Sequence, residues 1–172
     1  MIEKSTIQKV LEIFFENPSR EFHLRELSRL LKLSMPTIIS TTDILSKEKL
    51  IIKIKGKVLT KVLANREDAN FARYKRLHNL EKIYFSGIVD YLSNAYNNPK
   101  NIILFGSFSR GDDIESSDID IAITTNKKLD LDLTKYERIS KKRINIHEVD
   151  LDKISSEFKA NLANGIVLEG SW

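Results

Sequence analysis

The sequence predicts an α/β chain of the α+β kind, with two modules joined by a helical connector. Three observations carry this. Apolar residues recur at helical spacing through most of residues 1–50, the period then shortens to that of β-strands, and beyond residue 100 an apolar run precedes an alternating one. The 172 residues are 41% hydrophobic and 30% charged, which suits a chain that buries a core. The absence of cysteine excludes disulfides, a thiolate metal site and a cysteine nucleophile. No apolar run reaches the roughly 18–20 residues that span a bilayer. MIEKSTIQKV lacks the apolar centre of a signal peptide, so the expected location is the cytoplasm and no membrane partner is expected.

In the first module, residues 1–65, Ile7, Val10, Leu11 and Phe14 give residues 3–16 one apolar helical face. Asn17-Pro18-Ser19 ends that helix, because proline cannot continue it. Leu24, Leu27, Leu30 and Leu31 form a second stripe. Ser34 can cap a third helix with Pro36 in its first turn, where a missing N–H costs little. Ile38 and Leu45 of that helix face inward with Thr42 between them, and Thr37, Ser40 and Thr41 fall on the outer face. After Leu50 come two β-prone runs, Ile51 to Lys55 and Val58 to Leu63, with Gly56-Lys57 as a tight turn.

The net charge of +4 is unevenly spread. Residues 1–65 hold 12 Lys/Arg against 7 acids, residues 99–172 hold 11 against 13, and six lysines face the single acid Glu48 between Lys47 and Lys61. Such asymmetry suggests modules with different partners. The order helix, helix, short turn, helix, basic hairpin resembles a winged helix-turn-helix domain. That resemblance implies DNA as a partner, with the helix from Pro36 to Lys47 as recognition helix. Its hydroxyl side chains Thr37, Ser40 and Thr41 would approach phosphates and base edges. Lys53, Lys55 and Lys57 of the hairpin would add phosphate attraction independent of base sequence.

Residues 66–98 are the connector. Phe71, Tyr74, Leu77, Leu80, Ile83 and Ile88 keep helical spacing, and Gly87 predicts a break near Ser86-Gly87 between two consecutive helices. Tyr74, Tyr84 and Tyr91 are read as packing one helix on another. Asn97-Asn98-Pro99 closes the segment.

In the second module, residues 99–172, the apolar run Ile102 to Phe105 reads as a buried strand and Gly106-Ser107 follows at once. After a polar spacer comes Asp118-Ile119-Asp120-Ile121-Ala122-Ile123, a second, alternating strand. Alternation sets Asp118 and Asp120 on one face. Carboxylates about 7 Å apart repel unless a cation sits between them. Magnesium suits the task, because it takes hard oxygen ligands, often one or two carboxylates plus substrate phosphates. Gly106 lets the backbone approach a bulky anion, the N–H groups and hydroxyl at Ser107 can hold phosphate oxygens, and Arg110 can add a fork of donors. A phosphate cradle beside such a carboxylate pair is the core of a phosphoryl- or nucleotidyl-transfer site.

The combination of apolar strand, Gly-Ser, Arg-Gly, polar loop and Ser-Asp-Ile-Asp-Ile resembles the signature of the DNA polymerase beta-like nucleotidyltransferase superfamily, in particular the minimal nucleotidyltransferases. The resemblance implies a small mixed sheet flanked by helices, with a helix from Leu131 to Lys142, a strand from Ile144 to Val149 and a last strand from Gly165 to Leu168. It implies that Gly106 and Ser107 bind an NTP, ATP first among them, and that Asp118 and Asp120 hold two Mg²⁺ ions, with Mn²⁺ as a substitute.

One departure stands out. Active members carry a third acid on the next strand, which here reads Arg143-Ile144-Asn145-Ile146-His147-Glu148-Val149. Asn145 takes the acid's place, and an amide neither accepts a proton at neutral pH nor ligates Mg²⁺ as a carboxylate does. His147 shares Asn145's face and can serve as the base, whereas Glu148 and Asp150 point the other way. Two functions follow from this pattern. One is Mg²⁺-dependent transfer of NMP from an NTP to a hydroxyl acceptor, including one on a protein. The other is a winged-helix regulator or antitoxin, paired with a partner toxin, whose transferase domain binds nucleotide with little or no catalysis. Palindromic DNA sites make dimers common among winged helices, which leaves a homodimer open for this chain.

Overall fold

The computed structural model describes residues 4–171. Among them are eight helices and seven strands in two separate sheets, an α+β fold. The chain divides into two compact units, Met1–Lys75 and Arg76–Trp172.

The first unit opens with α1 (Thr6–Glu16), and the expected start at residue 3 lies outside the described residues. Ser5 caps α1 in a reciprocal box with Gln8, and Val10, Leu11, Phe14 and Phe15 are its buried face. The two-residue strand β1 (Phe22–His23) leads into α2 (Leu24–Leu31). Only Leu27 of that leucine stripe is fully buried, and Leu30 stands 54% exposed on the far side of the helix. Helix α3 (Met35–Lys47) starts as expected at Ser34, whose hydroxyl oxygen accepts the Thr37 N–H at 3.3 Å, with Pro36 in the first turn.

Strands β2 (Ile51–Lys55) and β3 (Thr60–Ala64) form the hairpin. Its loop is the four-residue Gly56–Leu59, closed by Gly56 N–H on Leu59 O at 3.0 Å, rather than a Gly56-Lys57 two-residue turn. The sheet is antiparallel in the order β1-β3-β2. Phe14, Phe22, Leu27, Ile38, Leu45, Ile51 and Val62 fill the core beneath it.

Helix α4 (Ala69–Ser86) and α5 (Ile88–Ala95) are interrupted at Gly87, which sits at φ +77°, a left-handed conformation glycine adopts without a Cβ penalty. The break therefore falls where the sequence puts it. The aromatic reading is only partly right: Tyr91 packs on Tyr136 with ring centroids 5.1 Å apart, but Tyr74 and Tyr84 remain about half exposed.

The second unit's sheet holds β4 (Asn101–Phe105), β5 (Ile119–Thr124), β6 (Ile144–Val149) and β7 (Ile166–Gly170) in the order β6-β5-β4-β7. It is mixed: β4 runs antiparallel to β5 and β7, and β5 runs parallel to β6. The five-residue α6 (Gly106–Arg110) follows β4 directly. Helix α7 (Thr134–Ser140) is shorter than the expected Leu131–Lys142, and α8 (Ser156–Ala163), capped by Ser155, was not expected. No helix among the described residues is long and apolar enough to cross a membrane.

Alternation gives this sheet two cores. Ile102, Leu104, Ile119, Ile121, Ile123 and Ile144 pack with Ile88, Leu92 and Tyr96 of α5. Ile103, Phe105, Ala122 and Val149 pack on the other face with Leu162 and Phe158 of α8. Every residue of β4 is buried, as its unbroken apolar run requires of a strand covered on both sides.

Candidate active site

The face of the sheet covered by α8 changes character along β5 and β6. Ala122 and Val149 lie in its core, whereas Asp120, Asn145 and His147 share the same parity and are only partly buried. Asp118 stands immediately before β5. The parallel register sets Asp120 beside Asn145 and Ala122 beside His147, and the antiparallel register sets Asp120 opposite Phe105. A polar cluster thus forms where β4 ends and β5 begins, because two consecutive strands each carry polar residues at alternate positions of one face.

Its hydrogen bonds are few and specific. Asn145 Nδ2 donates to Asp118 Oδ2 and to Asp120 Oδ1, both at 3.2 Å. His147 Nε2 lies 3.3 Å from the same Asp120 Oδ1. The imidazole is held edge-on by Phe105, with centroids 5.1 Å apart, and Phe158 of α8 packs 5.5 Å from Phe105. These rings fix the orientation of His147 while its side chain stays 39% exposed.

Gly106 closes the site from the β4 side. It sits at φ +74°, and a Cβ there would lie 2.8 Å from Asp120 Oδ2. Only hydrogen fits between this turn and the carboxylate, so the backbone runs against the acid. Ser107 follows, half-buried, and its carbonyl accepts the N–H groups of Gly111 at 3.0 Å and Asp112 at 3.3 Å to end α6. Arg110 is exposed and pairs at 3.0 Å with Asp112, its neighbour two residues on.

The loop from Asp112 to Asp118 is pinned from below. Asp113 is buried, accepts from Asn79 Nδ2 at 2.7 Å and faces Lys142 Nζ at 3.3 Å. The same ammonium donates to the carbonyls of Ile114 and, at 3.2 Å, Ser117, one residue before Asp118. Asn79 Nδ2 also donates to Phe108 O at 2.9 Å, tying α4 to α6. Sequence reasoning passes over these residues, because a buried aspartate inside a polar loop looks like any solvated one. Glu148 takes no part in the cluster: it accepts from Tyr96 Oη at 2.8 Å and Leu129 N–H at 2.9 Å on the opposite face. Burial, reinforced by that carboxylate, holds the Tyr96 phenol well above its ordinary range. Asp150 pairs with Lys153 at 2.8 Å, and that ammonium holds its pKa below the ordinary carboxylate value.

Residues 87–171 match the protein-family model described as Polymerase beta, Nucleotidyltransferase. The match supports assigning this nucleotidyltransferase domain to the polymerase beta-like superfamily that the Gly-Ser and Asp-x-Asp pattern resembles. At the level of the family, the chemistry is transfer of a nucleoside monophosphate. Neither the curated proteins nor the solved structures give a match to the chain.

The domain's donor set fits a divalent ion. Two carboxylates share one face, both are bridged by a neutral amide rather than a cationic side chain, and the oxygens are of the hard type that Mg²⁺ prefers. The glycine turn leaves space at the Asp120 carboxylate that any side chain would fill.

In the first unit the expected DNA-contact residues separate into two groups. Ser40 is exposed and Thr37 half-buried, and Lys55 and Lys57 are exposed at the end of the hairpin. Thr41 is not on the outer face: it is 4% exposed, because Ile38, Thr41, Thr42 and Leu45 together make the buried i, i+3, i+4, i+7 stripe of α3. Lys53 is not a free hairpin cation either. It lies on the inward parity of β2 with Ile51, keeps 11% of its side chain exposed, and donates to Asp43 Oδ1 at 2.7 Å and Thr42 Oγ1 at 3.0 Å.

Proposed function

We propose that the chain is a Mg²⁺-dependent nucleotidyltransferase that moves NMP from an NTP, ATP first, to a hydroxyl acceptor, and that its first unit is a winged helix that binds DNA. The observation that carries the first part is the position of Asp118 and Asp120, which share one face, with Asp120 against a glycine turn that excludes a Cβ. In this reading Gly106 and Ser107 receive the triphosphate with backbone N–H groups and a hydroxyl. Asp118 and Asp120 hold the divalent ion, which neutralises charge developing on the phosphate oxygens. His147, steadied by Phe105 and in contact with Asp120, stands where it can take the proton of the attacking hydroxyl. Arg110 reaches phosphate only by leaving Asp112, an exposed pair that costs little to break.

Incubating the protein with α-labelled ATP and Mg²⁺ or Mn²⁺ tests this. Label is expected on the chain itself or on a co-purified protein, and is lost in the Asp118→Asn, Asp120→Asn double variant. The neutral Asn145 favours a second reading, a regulator or antitoxin that binds nucleotide without transferring it. Saturable nucleotide binding with no label from any NTP is the result that selects it.

For the first unit, support comes from the order of three helices and a hairpin, the Ser34-capped α3, and exposed lysines at the hairpin end. With Thr41 buried and Lys53 half-buried and paired with Asp43, the contact set narrows to Thr37, Ser40, Lys55 and Lys57. Replacing Lys55 and Lys57 by alanine is expected to reduce the slope of log affinity against log salt by about 0.9 per lysine in a DNA titration. An unchanged slope removes the hairpin from the interface.

A further inference from the structure

Asn145 does more than lack a charge. Its Nδ2 donates to Asp118 Oδ2 and Asp120 Oδ1 at the same distance, 3.2 Å, and so bridges the two acids. Two carboxylates brought together on one face raise each other's energy unless something positive lies between them. Here the partial positive charge of an amide does so. A carboxylate at 145 would do the opposite, adding a third negative group at hydrogen-bond distance from both.

We infer that the nucleotidyltransferase site holds a single divalent ion rather than two, and that Asn145 is the residue that sets this number. The inference rests on the reading of Asp118 and Asp120 as the ion-holding pair. With two carboxylates, the site carries a formal charge of −2, which one divalent ion balances. Substrate phosphates can ligate an ion, but a second ion would also need a ligand of its own from the protein, and the cluster's remaining members are a neutral amide and an imidazole. Neither remedies the deficit. The amide is a weak ligand, and imidazole nitrogen suits hard ions such as Mg²⁺ and Mn²⁺ poorly. His147 is also turned to Asp120 and held edge-on to Phe105. No other carboxylate of β6 is available, since Glu148 is engaged by Tyr96 and Leu129 on the opposite face. The amide occupies one oxygen of each acid, Asp118 Oδ2 and Asp120 Oδ1, so an ion that takes those oxygens displaces two hydrogen bonds.

Manganese titration of the full chain, followed by electron paramagnetic resonance with a non-hydrolysable ATP analogue in excess, counts the ions. The wild type is expected to hold one Mn²⁺ per chain beyond that of free analogue, and Asn145→Asp to hold two. Without metal, Asn145→Asp is expected to melt about 2–4 °C below the wild type and to regain that difference when Mn²⁺ is added. Asn145→Ala, which removes the competing amide without adding charge, keeps one ion and binds it several-fold tighter. Two ions in the wild type, or a single ion in a folded Asn145→Asp, overturns the inference. So does an Asn145→Ala that binds its ion no more tightly. No ion at all in the wild type, with analogue bound, instead removes the reading of Asp118 and Asp120 on which the inference stands.

Discussion

Asp113→Ala is expected to lower the unfolding free energy of the chain by about 3–5 kcal/mol, the range seen when one partner of a buried ion pair is removed. The carboxylate is 1% exposed and the Lys142 ammonium 12%. Deleting the acid leaves that ammonium with only the carbonyls of Ile114 and Ser117, and leaves one donor bond of Asn79 unmade. An unpaired buried charge cannot recover its hydration without opening the loop, and the loop leads straight into Asp118. Asp113→Asn keeps an acceptor for Asn79 and is expected to cost less. Urea unfolding of the full chain followed by far-UV circular dichroism measures both. A loss below about 1 kcal/mol for Asp113→Ala would mean that water already reaches the pair.

The second large effect is at Gly106. Gly106→Ala places a methyl group in a left-handed conformation, at about 1–2 kcal/mol. It also sets that carbon 2.8 Å from Asp120 Oδ2, closer than carbon and oxygen approach without a bond between them. Either the turn opens or Asp120 moves, and each displaces Asp120 relative to Ser107. A misplacement of about an ångström in such a site costs on the order of a hundredfold in rate. Label transfer from ATP is therefore expected to fall by about that factor while the far-UV spectrum is kept. Retention of full activity would show that the turn and Asp120 move apart freely.

Much of the scaffold is legible in the sequence because its signals are local. Ser34 with Pro36 marks the start of α3, Gly87 marks the break between α4 and α5, and Ile102 to Phe105 reads as a strand buried on both sides. What escapes is set by distant partners. The two residues of β1 become a strand only because β3 lies alongside. Helix α8 offers little beyond Phe158 and Leu162, too short a stripe to announce itself before the sheet is there to receive it. Thr41 and Lys53 mislead for a shared reason: polarity puts them outside, whereas the stripe of α3 and the inward parity of β2 put them inside.

The candidate site divides in the same way. The common face of Asp118 and Asp120, and the placing of Asn145 and His147 on it, follow from strand alternation once the two strands are taken as neighbours. The Asn79-Asp113-Lys142 pin beneath the loop does not, since it joins residues 29 to 63 positions apart whose spacing carries no pattern. Nor does the wall of Phe105 and Phe158 around His147, because it needs α8.

Calorimetric titration of ATP into the full chain, with Mg²⁺ and then with EDTA, bears most directly on the proposed function. Saturable binding is expected with the ion, and its loss is expected both in EDTA and in the Asp118→Asn, Asp120→Asn variant. Equal affinity in all three conditions would mean that the paired aspartates do not hold an ion for a nucleotide, and would contradict the account.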